Sequence, residues 1–180
     1  MGSLCGGSVR AQCLAVTVHL RPAGPSDLLR LTEIYNWYVQ HSTATFDEEA
    51  ASPDDRYAWF ATFDVSGPYQ LLVAEIDGVV AGYASTSRYR PHPAFSATVE
   101  ITVYLDHGAR GHGLGARLYD ALLDRLRREG VHSVVAAVAL PNEASVGLHV
   151  SRGFRKVGTF TEYATKAGQL ISSTWFEKLL

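Results

Sequence analysis

Cysteine is nearly absent from this 180-residue chain, and the two present, Cys5 and Cys13, both stand within the first thirteen positions. A disulfide framework for the body of the chain is therefore excluded, and a cytoplasmic location is expected. Long apolar runs are missing too. None approaches the ~18 residues of a membrane span, so no membrane partner is expected. Positive charge is not in excess: sixteen Lys and Arg stand against eighteen Asp and Glu, a net charge of -2. On that balance no nucleic-acid partner is expected. Internal repeats and linkers are lacking. The opening residues carry no sustained hydrophobic region of the secretory kind, and Gly6 occupies the place where a myristoylation signal has Ser or Thr. Residues 1–15 are expected to be a disordered extension ahead of a single domain over 16–180.

What is present is patterned. Apolar residues make up 47% and charged residues 19%, the composition of a globular domain with a core. Residues 16–20 alternate as a strand, and Pro25-Ser26-Asp27 opens a helix with Ser26 or Asp27 as its cap. Leu28, Leu31, Ile34, Tyr35 and Tyr38 form its apolar stripe. Ser52-Pro53-Asp54-Asp55 starts a second helix. Strands over 71–76 and 79–85 turn at Asp77-Gly78, and a strand over 97–105 puts Glu100, Thr102 and Tyr104 on one face. A leucine-rich helix over 113–129 follows. The run 134–140 is apolar without alternation, as a strand covered on both faces should be. Asn142 caps a short helix that stops at Gly153, and two strands turning at Ala167-Gly168 end the chain. The crossover from strand 95–105 to strand 132–140 demands a parallel pair, and the hairpins demand antiparallel ones. The fold class is α/β (α+β): one mixed, mostly antiparallel sheet of about seven strands with helices on both faces.

Arg110-Gly111-His112-Gly113-Leu114-Gly115 lies between a strand and a helix N-terminus. Glycines there let a ligand approach the backbone, the helix dipole favours a phosphate, and Arg110 adds a forked cation. A purely structural loop is the bland alternative. A P-loop is excluded because no Gly-Lys-Ser/Thr follows. Gly111, Gly113 and Ala116 partly meet the dinucleotide fingerprint, but no acid stands ~20 residues on to hold a ribose. His107 and His112 lack a carboxylate or thiol partner at ligand spacing, so no metal is expected.

The ordered series I-Y-N-x-Y-V, T-A-T-F, V-A-E-x-D-G-x-V-A-G-Y-A, T-V-E-x-T-V-Y, R-G-x-G-L-G and L-P-N-x-A-S-V-x-L-H resembles the GNAT acetyltransferase superfamily. Within it, the phosphinothricin N-acetyltransferase group is the most similar. The resemblance spans about residues 20–166. It implies that strands 95–105 and 132–140 splay at their C-terminal ends. Acetyl-CoA would lie in that wedge, against the backbone of Thr102, Val103, Tyr104 and Leu105, with its pyrophosphate on residues 110–115 and Asn142 beside it. It implies a homodimer. Glu100 and His149 fall on the group's two proton-transfer positions. From position alone, a strand Glu such as Glu100 is more often solvent-facing or paired than a base, and a His near a helix C-terminus such as His149 is more often a helix-dipole partner than a catalyst.

Acetyl transfer requires the amine to lose a proton and the thiolate to gain one. Glu100 suits the first step and His149 either step. No core cysteine offers an acyl-enzyme, so direct transfer in a ternary complex is expected. Phe46, Arg90, His92, Pro93 and Ala94 are the expected acceptor-side residues, with Arg90 the cation for a substrate carboxylate. The group's A-R-N-A-Y segment is altered here, with His92 and Phe95. Its G-x-K-x-G-x-W-x-D becomes Ala164, Lys166, Gly168, Leu170 and Ser172. These departures spare the acetyl-CoA half and leave the acceptor open between phosphinothricin, methionine sulfone, methionine sulfoximine and another amino acid. A non-catalytic acyl-CoA-binding module is the alternative from a different class.

Overall fold

A computed structural model describes residues 17–180; the proposed extension lies outside them. Strand β1 (Val18–Pro22) leads to helix α1 (Leu28–His41), α2 (Pro53–Phe60), and strands β2 (Leu71–Ile76), β3 (Val79–Arg88) and β4 (Thr98–Leu105). Then come α3 (Leu114–Arg128), β5 (Ser133–Ala139), α4 (Glu143–Ser151), β6 (Arg155–Lys166) and β7 (Gln169–Leu179). The seven strands form one sheet in the order β1-β2-β3-β4-β5-β7-β6. Only β4 and β5 pair in parallel. No helix among the described residues is long and apolar enough to cross a membrane.

Local chemistry explains the boundaries. Ser52 accepts the Asp55 N–H at 3.2 Å while the Asp55 carboxylate accepts the Ser52 N–H at 3.1 Å, a reciprocal cap for α2. Asn142 accepts the Ser145 N–H at 3.1 Å and starts α4. Asp77 and Gly78 have φ of 49° and 82°, as the two-residue hairpin requires. The start of α1 differs from expectation. Asp27 makes no cap there; its carboxylate accepts the Gly24 N–H at 2.8 Å and binds Arg21 at 2.7 Å. That Arg21 hydrogen bond holds the Asp27 carboxyl below the usual carboxylate range.

Helices cover both faces of the sheet, each over part of it. The apolar side of α3 (Leu114, Leu118, Leu122, Leu126) packs on Val99, Ile101, Val134 and Phe176. On the other face, α1 and α2 set Leu31, Ile34 and Trp59 against Leu71, Val73, Val80 and Tyr83. The expectation that β5 is covered on both sides is corrected. Val134, Ala136 and Val138 are buried, whereas Val135 is half-buried and Ala137 exposed. Helices α1 and α2 stop short of β5, leaving that face open beside Glu100.

Candidate active site

The parallel ladder between β4 and β5 is only three residues long: Thr98, Val99 and Glu100 pair with Ser133, Val134 and Val135. Beyond Glu100 the strands separate, β4 continuing to Leu105 and β5 to Ala139. A cleft of about 510 Å³ fills the wedge, walled by residues 101–105, residues 137–139, the end of α1 and the adjoining ends of α3 and α4.

Backbone direction alternates along β4. The Asp106 N–H reaches Ala81 O in β3 at 2.8 Å, whereas the Leu105 N–H and C=O both meet the Tyr38 hydroxyl, at 3.2 and 2.8 Å. Leu105, Val103 and Ile101 therefore turn their polar groups toward the wedge, and Thr102 and Tyr104 turn theirs to β3. Of the four expected backbone positions, Val103 is the one left facing the wedge without a strand partner. Tyr38 stands in for the missing strand at Leu105.

The glycine loop closes the cleft's far end. Gly111 and Gly113 have φ of 81° and 72°, and a Cβ built on either meets nothing within 4 Å. The positive φ, not crowding, requires glycine there, and the space above both is open. Gly113 caps α3 with no side-chain hydrogen bond, so the first-turn N–H groups stay available to an anion. The Arg110 guanidinium lies over the Trp37 ring at 4.4 Å and the Tyr38 ring at 5.1 Å. Gly111, Gly113, Leu114, Gly115 and Asn142 line the cleft; His112 does not. His107 stacks on the Trp37 ring, with centroids 5.4 Å apart.

His149 lies at the cleft's floor, 2% exposed. Its Nδ1 meets Ser145 O at 2.7 Å and its Nε2 meets the Tyr119 hydroxyl at 3.1 Å. A carbonyl only accepts, so Nδ1 carries the proton and Nε2 takes the hydrogen bond donated by Tyr119. The ring also stacks on Phe176, centroids 5.3 Å apart. Burial lowers its pKa against the smaller opposing effect of the Ser145 carbonyl, so the ring is neutral. The unfolded ring takes a proton near pH ~6.5 and the folded ring resists it, so stability held above that pH is lost as pH falls toward the depressed folded value. The thermal midpoint is expected to drop between pH 7 and pH 5, and to drop less in His149→Asn.

Glu100 faces a second cavity, also of about 510 Å³, with Tyr89, Arg90, Val135, Phe160, Trp175 and Glu177 among its walls. Burial raises the Glu100 carboxyl above the ordinary glutamate range. Its charge also reaches Tyr119, whose hydroxyl is pushed up first by burial and then by Glu100. Near neighbours on the same strands divide between the two cavities where the ladder ends: Glu100 and Val135 line the second, Ile101 and Ala137 the cleft. Arg90 lines the second cavity; Phe46, His92, Pro93 and Ala94 line neither. Phe46 packs edge-on to Tyr163, and the His92 Nδ1 accepts the Ala94 N–H at 3.1 Å. By spacing alone Tyr38 belongs to the apolar stripe of α1 and Tyr119 carries no signal, because helical spacing does not mark a hydroxyl that will find a partner.

A sheet splayed at its parallel pair, with an uncapped helix N-terminus at the wedge and an ionisable carboxylate on the adjoining strand segment, suits the transfer of an acyl group from a phosphate-bearing carrier. The sequence profile of the acetyltransferase (GNAT) family matches residues 31–154. The chain is 42% identical over 165 residues to a phosphinothricin N-acetyltransferase of Streptomyces coelicolor, covering 91% of this chain and 96% of that one. It is 37% identical over 162 residues to an L-methionine sulfoximine/L-methionine sulfone acetyltransferase of Pseudomonas aeruginosa, covering 90% and 94%. A solved phosphinothricin acetyltransferase from Sinorhizobium meliloti, in complex with acetyl-CoA, superposes with a TM-score of 0.86 at 31% identity, covering 91% and 89%. The chain belongs to the GNAT acetyltransferase family.

Proposed function

We propose that this enzyme transfers the acetyl group of acetyl-CoA to the α-amine of a small amino acid of the methionine sulfone, methionine sulfoximine or phosphinothricin type, directly and within a ternary complex. The observation that carries this reading is that β4 sets Glu100, on the second cavity, next in sequence to Ile101, on the cleft, at the point where the parallel ladder ends. The wedge suits the thioester arm, with the Val103 N–H turned toward it and the open turn of α3 for the pyrophosphate. The second cavity suits the amino acid, with Arg90 for its carboxylate and Glu100 for its ammonium group.

An α-ammonium titrates near ~8 and is mostly charged at neutral pH. Glu100 takes one proton from it, directly or through water. The freed nitrogen attacks the thioester carbonyl, a tetrahedral adduct forms, and the oxygen's developing charge is met by a backbone donor. Collapse breaks the C–S bond, the nitrogen sheds its second proton, and the thiolate gains one. His149 is a positioning residue in this scheme: a neutral ring whose one N–H is committed to Ser145 O holds the Tyr119 hydroxyl at the cleft floor. The chain is proposed to work as a homodimer through edge strand β6, where Val157, Phe160 and Tyr163 are exposed.

Thiol release from acetyl-CoA, measured with a panel of amino acids including the three named, tests the function. Turnover with any of them supports it. Acetyl-CoA binding without turnover across the amino acids favours the binding-module alternative. Arg110→Ala is expected to weaken acetyl-CoA about tenfold, as loss of one charge-assisted phosphate contact does, while kcat changes little. Calorimetric titration with CoA checks the affinity.

A further inference from the structure

The register of the sheet lines up one transverse row of residues. Ser87 in β3 pairs with Glu100 in β4, Glu100 with Val135 in β5, Val135 with Glu177 in β7, and Glu177 with Arg155 in β6. Paired residues share a face, so Glu100 and Glu177 project to the same side, two strands and ~10 Å apart at the backbone. Both line the second cavity. That cavity therefore has two carboxylates and one lining cation, Arg90, whose guanidinium lies 5.2 Å from the Tyr89 ring and 5.6 Å from the Phe95 ring. Arg155 pairs with Glu177 from the rim, its side chain 70% exposed against 32% for Glu177. A pair that wet neutralises its carboxylate only in part.

On the proposed acceptor reading, Arg90 and Glu100 bind the carboxylate and ammonium that every amino acid carries, so they select nothing. Glu177 is the remaining charged residue that lines the cavity. We infer that Glu177 sets the acceptor's charge class, admitting amino acids whose side chain ends in a neutral polar group and disfavouring those that end in an anion. Rejection by a like charge is the ordinary way such a choice is built.

The test uses methionine sulfone as the neutral probe and phosphinothricin, whose side chain carries a phosphinate anion, as the charged one. Each is assayed with acetyl-CoA at one pH and ionic strength. The wild-type enzyme is expected to favour the sulfone in kcat/KM by about tenfold, the effect of one partly screened like charge. Glu177→Gln should bring that ratio down toward unity. Arg155→Ala, which leaves Glu177 unneutralised, should raise it several-fold. Opposite movements in variants that both lose the ion pair separate selectivity from damage to the fold. A ratio unmoved by Glu177→Gln, or moved the same way in both variants, overturns the inference and leaves the acetyltransferase reading intact. Failure of the wild-type enzyme to acetylate either probe overturns both.

Discussion

Glu100→Gln is expected to lower kcat for amine acetylation by about 10³-fold, within the range for loss of a general base, and to leave acetyl-CoA affinity unchanged. The carboxyl lines the second cavity, outside the residues that line the cleft between β4 and β5. Its pH dependence follows from burial. Desolvation raises its pKa, so the ionised base is lost as pH falls through a value above the ordinary glutamate range. The acid limb of kcat/KM should stand there in the wild-type enzyme and vanish in the variant, whose residual activity rises with pH as the amine itself deprotonates. Stability runs the other way. A carboxyl with a raised folded pKa is most favourable when protonated, and its ionised form is penalised as pH rises through that value. At pH 7 the neutral glutamine should leave the thermal midpoint unchanged or higher, so the activity loss is not a folding defect. A variant retaining a tenth or more of wild-type kcat would remove Glu100 from the mechanism.

His149→Ala is expected to destabilise the fold by about 3 kcal/mol, the combined effect of a vacated ring and unpaired hydrogen-bonding groups. For a domain of this size that is roughly 6–12 °C in thermal midpoint. The ring packs between Phe154 and Phe176 and is the acceptor for the buried Tyr119 hydroxyl. Removing it leaves a cavity on one side and an orphaned O–H on the other. Tyr119→Phe removes the same hydrogen bond without a cavity and should lose about 1 kcal/mol. The double variant should then lose less than the sum of the singles. If His149 served instead as the proton donor, its replacement would fall on kcat, and a basic limb of the wild-type pH profile would disappear with stability near normal.

These residues differ in how far their surroundings can be read from the chain. Ser52, Asn142 and Asp77-Gly78 act within three or four positions of themselves, and all do in the structure what their local pattern implies. Asp27 reads as a cap from its neighbours alone, whereas its carboxylate also pairs with Arg21 of the preceding strand. The open face of β5 depends on where α1 and α2 end, which the apolar run 134–140 does not encode. The Tyr38 and Tyr119 hydroxyls meet partners 67 and 30 residues away, beyond any local periodicity. Lys166 reaches back to Ser42 O and Thr45 O at 2.7 and 2.9 Å, tying the last hairpin to the loop that walls the cleft. That too is a product of the sheet's order rather than of spacing.

Initial rates with acetyl-CoA and methionine sulfone both varied, following free thiol and N-acetylated amine together, test the direct transfer most plainly. One thiol per acetylated amine and intersecting double-reciprocal lines are predicted, because both substrates must be in place before Glu100 takes the proton. Parallel lines with acetyl retained on the protein, or thiol released without acetylated amine, would contradict it.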